Sequence, residues 1–114
     1  MKERYKTMTM TYHAREERAD RVFLIKKYIG MGNPIKEIPA TSKKFGGTAK
    51  AVLTDTGIII VRDNRNTTII TVIIPTFNYI KRNFYPTDLV PWELQIAISR
   101  NKKYAEVIEA IEAL

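Results

Sequence analysis

The segment from Gly57 to Pro75 (GIIIVRDNRNTTIITVIIP) constrains the fold more than any other part of the chain. Two runs of β-branched residues flank Asp63-Asn64-Arg65-Asn66, and such runs suit extended strands while Asp and Asn stabilise the turn between them. Upstream, Thr48 to Thr54 leads through Asp55-Thr56-Gly57 into Ile58 to Arg62, so the pattern predicts an antiparallel meander. Pairing Arg62 with Thr67 would set Ile60 opposite Ile69 and Ile58 opposite Thr71 on one face. The second face would carry Ile59, Val61, Ile70, Val72 and Ile74. Both faces are then apolar, and each needs a cover: a helical layer on one, the carboxy-terminal helix or a second subunit on the other.

The remaining segments supply those layers. Residues 4 to 12 alternate Met8, Met10 and Tyr12 with threonines, which suits a short strand or an extended lead-in. From about Thr11 the spacing of Ala14, Ala19, Val22, Phe23 and Tyr28 is helical, and Gly30, Gly32, Asn33 and Pro34 end it. Asp20 is positioned to cap a second helix there. Ile35 to Ile38 suits a short strand, and Thr41 to Gly47 (TSKKFGG) a basic loop. From Asp88 onward the pattern is again helical, with Pro91 acceptable in a first turn and Asn101-Lys102-Lys103 a candidate break. Tyr104, Val107, Ile108, Ile111 and Leu114 form an apolar stripe suited to a core or a dimer surface. The expected fold is α+β, one domain over residues 1–114: a helical region at 11–32, a three- to four-stranded antiparallel sheet at 48–75 and a helical segment at 88–114.

Charge is distributed unevenly. Residues 1–50 hold 12 Lys and Arg against 5 Asp and Glu, a net +7, whereas residues 51–114 hold 7 of each. A one-sided basic field suits a polyanion, because phosphate binding is driven largely by counterion release. RNA is expected ahead of DNA, with Arg15, Lys43, Lys44, Lys50, Lys81 and Arg82 as candidate contacts. The segment TFNYIKRNFYPT interleaves Phe77, Tyr79, Phe84 and Tyr85 with Lys81 and Arg82, a pattern that suits base stacking. Its alternative is a connection whose aromatics pack into the core. The chain has no cysteine and one histidine, so no disulfide framework, thiolate nucleophile or histidine-rich metal site is expected, and neither is a cofactor. With no apolar run near the roughly 20 residues that span a bilayer, a cytoplasmic protein is expected.

The single histidine opens the basic helical region. On a helix, Glu17 and Arg21 lie about 40° and 80° around from His13, while Arg15 and Arg18 lie farther away. His13 or Glu17 can take a proton from a ribose 2′-hydroxyl, and Arg21 with a second arginine can stabilise the charged phosphorane, which is the requirement for metal-independent RNA cleavage. Alternatively, Glu17 and Arg21 form an ordinary surface pair worth a few tenths of a kcal/mol. Arg62 and Thr71 interrupt an isoleucine-rich face; Arg62 can hold a phosphate bidentately and Thr71 can donate to one. Arg62 can equally mark a strand end with its head in water, and threonine is common in strands.

His13-Ala14, the downstream Arg21, the strand GIIIVRD and the closing IITVIIP resemble small phage or mobile-element proteins. These in turn resemble the metal-independent ribonuclease toxins of the barnase, EndoU, colicin E5 and RelE fold group, across roughly residues 11 to 75. The resemblance implies helices followed by a curved antiparallel sheet. It matches His13 and Arg21 to the helical histidine and outer arginine, and Thr71 to the threonine of the closing strand. One position departs: Glu17 stands where an inner arginine is expected, with Arg18 one residue on. Two functions follow. One is a toxin-like ribonuclease using His13, Arg18, Arg21, Arg62 and Thr71. The other is a non-catalytic accessory or counter-defence module that engages nucleic acid, a nucleotide signal or a host protein complex. An antitoxin or host protein is a further candidate partner, and a homodimer is the expected assembly.

Overall fold

The computed structural model describes residues 9–10, 26, 30–40, 49–63, 65 and 68–114. Five strands form one sheet: β1 (Thr9–Met10), β2 (Pro34–Ala40), β3 (Ala49–Thr54), β4 (Ile59–Arg62) and β5 (Thr68–Ile73). Two helices follow, α1 (Phe77–Asn83) and α2 (Trp92–Glu112). The sheet order is β1-β5-β4-β3-β2; β2 to β5 are antiparallel neighbours, and β1 adds a two-residue parallel edge against Thr68 and Ile69. The expected α+β layout, with an antiparallel sheet and a carboxy-terminal helix, is therefore present. The expected amino-terminal helices fall largely on residues outside those described.

Burial tracks strand position. β3 and β4 are central, and all their residues except Lys50 are buried; edge strand β2 alternates between half-buried and exposed. Pro34 and Pro39 sit on that edge, where a missing N–H costs no ladder bond and discourages further pairing. One sheet face carries Ala51, Leu53, Ile59 and Val61 and packs against Ile80 and Phe84 from α1 and the following turn, Val90, and Leu94 and Ile98 of α2. The other face holds Ile58, Ile60, Ile69 and Val72, with Met31 and Ile74 at its margin. The carboxy-terminal helix thus covers one apolar face, as the two-sided strand pattern required.

The β4–β5 register differs from the expectation. Ile59, Ile60 and Val61 pair with Ile73, Val72 and Thr71, whereas Arg62 pairs with Ile69. Ile70 is left as an extra residue, a bulge that places Ile70 and Ile73 on the helix-covered face and Ile69 and Val72 on the other. The turn sets this offset. Asp63 N–H donates to Thr68 O at 3.0 Å and Thr68 N–H donates to Asp63 Oδ1 at 3.1 Å, so the chain closes over Asp63 and Thr68 rather than over Arg62 and Thr67.

Two further segments were read differently from sequence. Residues 77–83, expected as a platform or connection, form a short helix whose N-cap Thr76 accepts from Tyr79 N–H at 3.2 Å. Residues 92–112 form one helix without the expected break, because Asn101 turns inward and donates through Nδ2 to Thr56 O at 2.8 Å. Its amide therefore competes with no backbone bond of its own helix.

Candidate functional site

Strand alternation collects the first polar group. Register places Glu37 opposite Val52, and Lys50 opposite Arg62, so Glu37, Lys50 and Arg62 share the sheet face of Ile60. The Arg62 side chain is only 8% exposed; its Nη2 donates to Glu37 Oε2 at 2.5 Å and its Nη1 to Asp63 O at 2.9 Å. Charge pairing is what allows an arginine to sit this deep beside isoleucines. Glu37 is 46% exposed, so the pair opens to solvent on one side. With half-buried Lys50 beside it, the band holds two cations and one carboxylate.

Thr71 does not join this band. It pairs with Val61 and is half-buried, whereas Arg62, the next residue on β4, projects from the opposite face. The expected Arg62–Thr71 juxtaposition is thus overturned, because it rested on a register that the bulge at Ile70 shifts. His13, Arg15, Arg18, Arg21, Lys43 and Lys44 lie outside the described residues. Lys81 is taken up locally: its Nζ donates to Tyr85 O at 2.8 Å and Asp88 O at 2.5 Å, tying the end of α1 to the next turn. Arg82 is exposed on α1. The aromatics divide between the two readings made of them. Phe84 is core and Tyr85 packs against the core under Lys36, whose Nζ lies 4.1 Å from the ring centroid, while Phe77 and Tyr79 stay exposed, Tyr79 three residues before Arg82 on α1.

A second polar group surrounds the β3–β4 turn. Asn33 N–H donates to Asp55 Oδ1 and Asp55 N–H returns a bond to Asn33 O, both at 2.9 Å. Thr56 Oγ1 donates to Met31 O at 3.3 Å and shares a 2.9 Å bond with Thr54 Oγ1. This turn meets α2 across a cleft of about 200 Å³ lined by Asp55, Thr56, Glu93, Ile96, Ala97, Arg100 and Asn101. Gly57 permits the approach. Its φ is +79°, and a Cβ there would stand 3.1 Å from Ile98 N and 3.2 Å from the Ala97 Cβ. Asn101 is fully buried, with Oδ1 lacking a hydrogen-bond partner among the described residues.

Sequence reasoning missed Glu37 and the cleft. Ile35 to Ile38 was read only as a short strand, and the 25 residues that separate Glu37 from Arg62 hid the pairing. Asp55-Thr56-Gly57 read only as a turn and Asn101 only as a helix breaker. Among the described residues, no cluster of three His, Cys, Asp or Glu side chains is placed to hold a metal, and no helix is long and apolar enough to cross a membrane. No family model, curated protein or solved structure matches the chain.

Proposed function

We propose that this chain is an RNA-binding module of the phage accessory or counter-defence kind, acting through basic residues concentrated in its first half. The carrying observation is the segregation of charge: the whole net +7 lies in residues 1–50. A field of one sign over part of a small domain attracts a polyanion whether or not a reaction follows. Lys50, one of those cations, lies on the Glu37–Arg62 face of the sheet. Phe77 and Tyr79, exposed on the same short helix as Arg82, offer rings for unstacked bases.

Binding without cleavage is the reading that the arginine geometry favours. Arg62 is engaged by Glu37 and stands on the face opposite Thr71, so these two cannot jointly hold one phosphate in this arrangement. Glu17 occupies the inner arginine position of the resembled ribonucleases, which removes a second cation from a transesterification site. Metal-independent cleavage is the second reading, favoured by His13 and Arg21 at helical spacing. Incubating end-labelled RNA with excess chelator separates the two. Retarded but intact RNA is expected; cleavage that disappears in His13→Ala would transfer the assignment to the ribonuclease.

A further inference from the structure

We infer that helix α2 is a self-association surface, on which a second copy of this chain docks antiparallel with the two helices crossing near Lys103. Successive residues of an α-helix are about 100° apart, so Trp92, Ile96, Val107 and Ile111 fall on one side of α2, with Leu114 just beyond its end. Leu94, Ile98 and Asn101, the buried residues among those described, fall on the other. The outward stripe is exposed: Trp92 at 68%, Val107 at 50% and Ile111 at 62%. It lies outside the polar groups considered for RNA, so this inference is independent of the proposed function.

The order of residues along the helix identifies the occupant. In an antiparallel pair related by a two-fold axis, a residue above the crossing meets the residue equally far below it. About Lys103, Trp92 stands level with the second copy's Leu114, Ile96 with its Ile111, and Arg100 with its Val107 or Glu106. Apolar ends meet apolar ends. Ile96 and Arg100 also line the cleft of about 200 Å³ beside the Asp55–Gly57 turn, where the second copy's Val107 and Ile111 would seat.

Charge follows the same plan. Arg100, Lys102 and Lys103 are exposed on the middle of α2, and Glu106 and Glu109 are exposed beyond them. The last turn contains no basic residue, so these carboxylates approach the negative end of the helix dipole without local compensation. Antiparallel docking brings the basic middle of one helix alongside the acidic half of the other. Lys103 then lies about 4.5 Å along the axis from the second copy's Glu106. The two Lys103 ammonium groups meet across the two-fold axis, and the second copy's Glu106, within one helical turn of each, offsets their repulsion.

The test uses the intact chain, which has no native cysteine. Light scattering coupled to size exclusion, over low to high micromolar concentration, should approach twice the 13.2 kDa chain mass. Ile111→Glu should return the monomer mass with an unchanged circular dichroism spectrum. Helices packed about 8–10 Å apart bring the two Lys103 Cα atoms within disulfide range, whereas the two Leu114 positions stand about 33 Å apart. Lys103→Cys should therefore form a covalent dimer on mild oxidation at least tenfold faster than Leu114→Cys. A monomer mass at every concentration, a dimer indifferent to Ile111→Glu, or equal cross-linking by the two cysteines would each overturn the inference.

Discussion

Replacing Gly57 with alanine probes the contact that fixes α2 against the sheet, and Gly30 provides an internal control. Both glycines have positive φ, +79° and +75°, so both substitutions carry the cost of left-handed backbone, about 1–2 kcal/mol. Loss of unfolded-state freedom returns roughly 0.4–1 kcal/mol in each case. The environments then separate them. Among the described residues a Cβ on Gly30 meets nothing within 4 Å, whereas one on Gly57 stands 3.1 Å from Ile98 N and 3.1 Å from Asn101 Nδ2. Ile98 N belongs to the helix backbone, so relief requires α2 to move and weakens the 2.8 Å Asn101–Thr56 bond. Overpacking of this kind costs about 1–3 kcal/mol. Gly30→Ala should thus destabilise by about 1 kcal/mol and Gly57→Ala by about 2–4 kcal/mol. Urea unfolding should be followed by far-ultraviolet circular dichroism, because the single tryptophan, Trp92, is exposed and a weak reporter of burial. Equal destabilisation by the two substitutions would refute the close packing of α2 on the β3–β4 turn.

The aromatic segment and the arginine pair yield further predictions. Phe84→Ala should cost about 3–5 kcal/mol in urea unfolding, since the ring is buried against the sheet, while Phe77→Ala should cost under 1 kcal/mol and weaken RNA affinity instead; a large stability loss at Phe77 would assign it to the core. Glu37→Gln should remove the carboxylate that engages Arg62 and raise RNA affinity several-fold in a retardation assay at fixed salt; unchanged affinity would exclude the Arg62 face from the RNA contact.

The strands were legible in sequence because β3, β4 and β5 are bounded by apolar β-branched runs and by Asp55-Thr56-Gly57. Their register was not. It depends on an extra residue at Ile70 and on the Asp63 carboxylate reaching Thr68 N–H, neither of which changes the hydrophobic pattern. Helix α1 was obscured by the surrounding prolines and by aromatics whose roles divide within seven residues. Asn101 looked like a break because its partner, the Thr56 carbonyl, lies 45 residues away in sequence. The same distance effect explains the site. Arg62 was visible as a misplaced cation, but Glu37, which stabilises it there, was not, and the face on which Thr71 falls followed the shifted register.

The central claim is that RNA binds through the basic half, and its salt dependence tests that most directly. Four phosphate contacts, from Arg15, Lys43, Lys44 and Lys50, predict a slope of about −2.8 in log affinity against log salt for single-stranded RNA, so doubling the salt should weaken binding about sevenfold. Lys43→Glu with Lys44→Glu should reduce that slope by about 1.4. Fluorescence anisotropy of a short labelled RNA measures both, and a flat salt response, or a slope untouched by the two reversals, would contradict the account.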